Sequence, residues 1–276
     1  MGSDANSGAT LDAHGFGPTG AGCGRAAPQV GDFHLQTTDK NGTSRDYEVI
    51  VPTPYDPNTP LALTFVYHGA GQTEAAAKSF GVQNAPGAPA ASIFVFPQGI
   101  AFQTYGIGWD DSCSGYDMVF FDNMLRFLTA NYCVAEKSIF AAGFSWGCDY
   151  VTGLTCCRGS RLRAVATASC SDDFGNTADY KTYINEPCAT SGTTGIRFTH
   201  DANGDGAYTA QDFATTSALY RSFDSCSAAS TQTAVSACVS YQACTEPFLE
   251  CRYPGLGHTV PPNWANETWS FFSTFP

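Results

Sequence analysis

Ser138-Ile139-Phe140-Ala141-Ala142-Gly143-Phe144-Ser145-Trp146-Gly147 is the stretch that decides the fold. An apolar run ends in Gly-x-Ser-x-Gly and leads into a segment that reads as a helix. A sharp strand-to-helix turn of this kind forces the serine into a strained conformation with its hydroxyl exposed, and the flanking glycines remove side chains that would clash there. The same turn aims the first N–H groups of the following helix at a reacting carbonyl, where they stabilise developing negative charge. Ser145 is therefore the candidate nucleophile, and the backbone N–H of Trp146 is one candidate oxyanion donor.

Working outward, further short apolar runs end in Gly or polar residues: Leu61 to Tyr67, Ser92 to Phe96, Leu162 to Ala168, Ile196 to Thr199 and Pro247 to Tyr253. They read as buried parallel strands. Between Tyr116 and Tyr132, the residues Met118, Phe121, Met124, Leu125 and Leu128 fall on one side of a helix. Alternation of strand and helix predicts an α/β fold with a mostly parallel central sheet and helices on both faces, and the Gly-x-Ser-x-Gly elbow points to the α/β-hydrolase type within it. Phe33 to Val51 reads as a hairpin turning at Asp39-Lys40-Asn41-Gly42, and the prolines at 52, 54, 57 and 60 mark a surface connection. Residues 1–22, opening with Met-Gly-Ser, are expected to be an expression remnant and flexible linker, with a single catalytic domain over residues 23–276.

The chain has 276 residues and a formal net charge of −12, which repels polyanions, so nucleic acid is not an expected partner. No uninterrupted apolar run reaches the ~18 residues a membrane span needs, so no membrane partner is expected either. There is no cationic leader followed by an apolar stretch; any signal peptide is expected to be gone already. Twelve cysteines without paired Cys-x-x-Cys motifs predict disulfides and an oxidising, secreted setting, with Cys156 and Cys157 bonded to separate partners. The tract from Cys226 to Cys251 reads as a stapled loop region.

A serine hydroxyl needs a general base. His258, in Gly255-Leu256-Gly257-His258-Thr259 after the last strand and ahead of a helix over Trp264 to Phe272, occupies the place of the histidine in the chain order nucleophile, acid, histidine. His14 lies in the linker and His34 in the hairpin. His68, in Tyr67-His68-Gly69-Ala70-Gly71, ends a strand whose loop supplies the second oxyanion donor: the N–H of Ala70, or of Gly71 as the alternative.

The acid should follow a strand between Ser145 and His258, which points to Asp201-Ala202-Asn203-Gly204-Asp205. Asp205 is preferred to Asp201, with Asp172 and Asp173 as outside candidates. The same stretch matches a calcium loop, with Asp201, Asn203, Asp205, Gly206 and Asp212 at its first, third, fifth, sixth and twelfth positions. The twelfth position lacks the usual Glu, and catalysis is preferred to metal, so no cofactor is expected. Trp109 and Trp146 offer flat apolar surface to an aromatic substrate. Asn41-Gly42-Thr43 and Asn266-Glu267-Thr268 fit the glycosylation acceptor pattern.

Together Gly-Phe-Ser-Trp-Gly, Tyr-His-Gly, the Thr199-His200-Asp201 strand end, Gly-Leu-Gly-His and Gly108-Trp109-Asp110 ahead of the helix with Phe120-Phe121-Asp122 resemble the secreted feruloyl esterase and polyhydroxybutyrate depolymerase-like group of α/β-hydrolases. The resemblance implies a serine carboxylesterase acting on hydroxycinnamate esters of plant cell-wall xylan, or on related acetyl or polyester substrates. The group often has His-Gly followed by an acid at this strand end, whereas here His200-Asp201 and a longer Gly-rich insert leave the acid open. Rival readings are a serine peptidase on the same fold and a non-catalytic, calcium-stabilised carbohydrate-binding module.

Overall fold

The computed structural model describes residues 20–101, 106–171 and 194–275. The chain opens with an antiparallel hairpin, β1 (Gly31–Thr38) and β2 (Ser44–Val51), whose turn places Gly42 at φ 76°. Then follow β3 (Leu61–Tyr67), helix α1 (Glu74–Ser79), the short helix α2 (Ala88–Ala91) and β4 (Ser92–Pro97). A small ribbon of β5 (Ile100–Ala101) and β6 (Ile107–Gly108) leads to α3 (Tyr116–Asn131). Next come β7 (Val134–Phe144), α4 (Trp146–Arg158), β8 (Ala164–Ala168), β9 (Gly195–His200) and α5 (Ala210–Phe223). β10 (Ser230–Gln232), β11 (Cys238–Tyr241), β12 (Phe248–Arg252) and α6 (Trp264–Phe272) finish the fold.

The strands form one sheet in the order β1-β2-β4-β3-β7-β8-β9-β12-β11-β10. From β4 to β12 every neighbouring pair is parallel, and the antiparallel pairs lie at the two ends. This is the α/β-hydrolase architecture that the alternation of elements predicts. In β3, Leu63, Phe65 and Tyr67 face a core shared with α3, α4 and α5, while Ala62 and Val66 face one shared with α1, α2 and α6. The strand is buried on both faces, so its sequence is apolar throughout instead of alternating.

Two expectations change. The tract around Cys226 to Cys251 is not loop alone: β11 pairs antiparallel with β12 and β10 antiparallel with β11, extending the sheet, and the disulfides Cys226–Cys244 and Cys238–Cys251 staple that extension. Short polar strands such as Ser230–Gln232, wholly exposed at an edge, carry no hydrophobic period to read. Of the stretch read as linker, residues 1–19 lie outside the described residues, but Gly20 and Gly22 donate N–H bonds to Val134 and Thr129 carbonyls at 2.8 and 3.0 Å. Cys23–Cys133 locks that clasp. Cys113–Cys157 and Cys148–Cys170 are also bonded, and Cys156 is disulfide-bonded apart from its neighbour Cys157. No helix among the described residues is long and apolar enough to cross a membrane.

Candidate active site

Ser145 stands between β7 and α4 with φ 54° and ψ −126°, a conformation that L residues rarely adopt. The surrounding glycines show why the elbow needs its motif. A Cβ on Gly143 would lie 2.2 Å from the Gly147 carbonyl oxygen, and one on Gly147 would lie 2.4 Å from the carbonyl oxygen of Tyr67. The loop after β3 presses on the nucleophile as well, since a Cβ on Gly69 would sit 3.1 Å from Cβ of Ser145.

The structure brings Ser145, His258 and Asp205 into one hydrogen-bonded chain. His258 Nε2 is 2.9 Å from Ser145 Oγ, and Nδ1 is 2.7 Å from Asp205 Oδ2. The acid's side chain is fully sealed whereas the imidazole remains 29% exposed, so the base stays reachable from solvent. Asp205 is oriented by its own turn: Oδ1 accepts the N–H groups of Ala207 and Tyr208 at 2.9 and 2.8 Å. With Oδ2 on the imidazole, Nδ1 carries the proton and Nε2 is left to accept from the serine.

Asp201 does different work. Its Oδ2 accepts from the Gly257 N–H at 2.8 Å, and Oδ1 accepts from Asn203 at 2.9 Å. Burial pushes this carboxyl up, but the N–H groups of Asn203, Gly257, Gly255 and Leu256 outweigh it and hold the group below the ordinary aspartate range. Three of those N–H groups, of Gly255, Leu256 and Gly257, belong to the loop that carries His258. The histidine loop is thus gathered around an anion, and Gly255 and Gly257, at φ 75° and 71°, give it the curvature to wrap. Behind Asp201, Glu250 accepts from Ser217, Tyr241 and Arg252 and pairs with His200 at 2.9 Å.

The calcium-loop alternative loses its ligands to these tasks. Asp205 serves His258 and Asp201 the histidine loop, while Asp212 closes a capping box with Thr209 at the start of α5. Among the described residues no group of side chains is arranged to hold a metal ion. Asp172 and Asp173 lie outside the described residues.

On the side of the candidate oxyanion donors, Trp146 opens α4, directly after Ser145. Among the described residues no hydrogen bond engages the Ala70 N–H, while the alternative, Gly71, spends its N–H on the Ile107 carbonyl at 2.8 Å. Gln72 accepts from the Gly69 N–H at 2.9 Å and fixes this loop. His68 is buried, and its Nε2 accepts from the Gly99 N–H at 3.0 Å, so the ring pins the β3 exit to the β4 exit. Burial lowers its pKa, which keeps it neutral in that role.

The two tryptophans offered as substrate surface are corrected. Trp109 is 1% exposed, stacks on Tyr150 with ring centroids 5.3 Å apart and donates its indole N–H to the His68 carbonyl at 2.9 Å. Trp146 is 4% exposed and lies flat against Gly108, where a Cβ would meet the indole at 2.3 Å. Both rings are core, and proximity in sequence to the nucleophile said nothing of where the ring points. The aromatic side chains beside the histidine are Phe144, 4.9 Å away, and Tyr208, 5.7 Å away. Tyr208 was missed in the sequence because it lies inside the segment that resembles a calcium loop. Its place three residues after the acid is the one signal it offered.

No protein-family model matches the chain. Among curated proteins it is similar to feruloyl esterase D of Neurospora crassa, 33% identical over 161 residues covering 54% of this chain and 53% of that one. It is also similar to the probable feruloyl esterase C of Aspergillus flavus, 25% identical over 269 residues, 93% of this chain and 92% of that one. The first of these alignments thus spans about half the length of the relative. Among solved structures, an acetyl xylan esterase from Aspergillus awamori superposes with a TM-score of 0.65 at 16% identity, covering 87% of this chain and 99% of that one. Sequence and fold together set the chain beside the feruloyl esterase-like α/β-hydrolases.

Proposed function

We propose that this α/β-hydrolase is a secreted carboxylic ester hydrolase that cleaves hydroxycinnamate esters, feruloylated polysaccharide or its fragments being the substrate. The observation that carries the reading is the continuous hydrogen-bonded chain from Ser145 through His258 to Asp205, placed at a strained elbow at the N-terminus of α4. Likeness to curated feruloyl esterases supports the acyl group.

In this reading Ser145 Oγ attacks the ester carbonyl while His258 Nε2 takes its proton. Asp205 stabilises the imidazolium, and the N–H groups of Trp146 and Ala70 receive the oxyanion. The imidazolium then protonates the departing alcohol. Water, activated by the same histidine, releases the acid and restores the serine. Apart from the water and the ester, every group in this cycle belongs to the chain. The disulfides fit an oxidising, extracellular setting, and residues 23–276 serve as one catalytic domain.

A second reading, an esterase for acetyl groups, is supported by the superposition on the acetyl xylan esterase. Initial rates on methyl ferulate beside an aryl acetate and a hydroxybutyrate oligomer, with Ser145→Ala as control, separate the two. Preference for ferulate that disappears in the variant is the expected outcome. Activity confined to acetate or hydroxybutyrate transfers the same triad to the other substrates, and undiminished activity in Ser145→Ala removes the triad itself.

A further inference from the structure

Asp149, in the first turn of α4, is a completely buried acid that the triad does not use. Its backbone N–H donates to the Ser145 carbonyl at 3.1 Å, so it is fixed directly to the nucleophile's own peptide. Its side chain reaches two other elements. Oδ1 accepts the N–H of Ser171, just beyond β8, at 3.2 Å, and Oδ2 accepts the hydroxyl of Tyr208 at 3.3 Å. The preceding residue, Cys148, is bonded to Cys170, so this turn of α4 is fastened to the β8 exit twice.

Tyr208 stands in the turn that holds the triad acid. Its N–H donates to Asp205 Oδ1 at 2.8 Å, and its carbonyl accepts from the Asp205 N–H at 3.0 Å. Its ring is held between His258, at 5.7 Å, and Phe213, at 6.0 Å. Burial, reinforced by the adjacent Asp149, raises the phenol far above neutrality, so it keeps its proton and donates it. Burial, with Asp111 nearby, also pushes the Asp149 carboxyl well above the ordinary range. Ionised or neutral, that carboxyl keeps a lone pair on Oδ2 for the phenol.

These contacts close a ring. One arc is the triad, from Ser145 through His258 to Asp205. The other runs from the Ser145 carbonyl through Asp149 and the Tyr208 hydroxyl to the same Asp205 turn. The second arc fixes the span between elbow and acid independently of the imidazole. We propose that Asp149 and Tyr208 are positioning residues whose hydrogen bond sets the acid turn against the nucleophile elbow, so that Asp205 holds His258 where it can take the Ser145 proton. This rests on the esterase reading above. The tie moves no proton during the reaction, and His258 makes every transfer. Its effect is geometric, and a displacement of about 1 Å among catalytic groups can cost about 100-fold in rate.

The test is Tyr208→Phe, which removes one oxygen and keeps the ring, made in wild type, in Asp205→Ala and in Asp149→Ala and assayed on an aryl acetate and methyl ferulate beside Ser145→Ala. In wild type kcat is expected to fall about 10- to 100-fold, with KM changing less than about threefold. On either alanine background the same substitution should cost less than about twofold more, because the acid to be aimed, or the partner that aims it, is already gone. The Asp205→Ala comparison stands even where Asp149→Ala does not fold. A second readout needs no turnover: the low-field proton NMR resonance of the His258 Nδ1 hydrogen, assigned by its absence in Asp205→Ala, should shift or broaden in Tyr208→Phe. The proposal is overturned if Tyr208→Phe keeps wild-type kcat, or if it lowers the activity of Asp205→Ala by the same factor as that of wild type, as a general loosening of the fold would. An inactive wild type, or an active Ser145→Ala, defeats the esterase reading instead. The resonance then decides the tie, and an unchanged signal in Tyr208→Phe overturns it.

Discussion

Nδ1 of His258 and Oδ2 of Asp205 lie 2.7 Å apart. The neighbouring acid, Asp201, turns instead to the N–H groups of the loop that bears the histidine. The two carboxylates of one short segment therefore act on the same imidazole in different ways, one by direct contact and one through the backbone.

Their substitutions should separate accordingly. Asp205→Asn is expected to lower kcat by about four orders of magnitude, because an amide stabilises the wrong tautomer and cannot support the imidazolium. Asp201→Asn keeps the acid on the histidine but replaces an anion that gathers several N–H groups by a neutral amide. A loss of about tenfold in kcat with a lower melting temperature is expected, since a hydrogen bond to a charged group contributes about 1.5–3 kcal/mol. Steady-state kinetics and thermal melts of the two variants check the order; equal losses would place both residues in the triad.

Much of this was legible beforehand, for identifiable reasons. The elbow and β3 could be read because a strand buried on both faces must be apolar and a strained serine must have glycines around it. The choice between Asp201 and Asp205 could not be settled from spacing, since both follow β9 and the difference lies in which way a glycine-bearing turn aims each carboxylate. Trp109 and Trp146 misled because sequence position fixes a Cα, not the direction of an indole. The complete burial of Asp149 in the first turn of α4 was not legible either, because nothing in its surroundings along the chain distinguishes it from a surface aspartate.

Gly147→Ala should abolish activity and destabilise the fold together. The added methyl would stand 2.4 and 2.5 Å from the carbonyl oxygens of Tyr67 and His68, which are backbone atoms of the neighbouring strand end and cannot rotate away. Either α4 tilts or the exit of β3 moves, and the proposed oxyanion donors, Trp146 at the start of α4 and Ala70 in the loop after β3, move with them. A loss of several degrees in melting temperature with kcat reduced at least about 100-fold is expected from overpacking and a displaced oxyanion site.

The Cys23–Cys133 bond should matter for stability and not for chemistry. It closes a segment of 110 residues, and cross-links across loops of that size contribute up to about 4–5 kcal/mol by restricting the unfolded chain. Cys133 precedes β7 and Ser145 follows it, so the strand's 11 residues separate them, about 36 Å at 3.3 Å per residue. Replacing both cysteines by serine is expected to lower the melting temperature by several degrees while kcat at 25 °C stays within about twofold. A large fall in kcat in a fully folded double variant would show that the N-terminal clasp reaches the site.

The network behind Asp201 gives the acid limb of stability a specific origin. Burial alone would raise the pKa of Glu250, but His200, Arg252 and Tyr241 together lower it to about 2. A carboxylate depressed in the folded state stabilises the protein above its unfolded pKa, near the ordinary glutamate value of 4.5, and that contribution is lost as the pH falls toward 2. That depression corresponds to about 3 kcal/mol of stability at neutral pH. Glu250→Gln should therefore be much less stable than wild type at pH 7, and the gap should narrow between pH 4.5 and pH 2. Denaturant unfolding at a series of pH values measures that gap directly, and a gap independent of pH would mean that packing, not charge, is what Glu250 contributes.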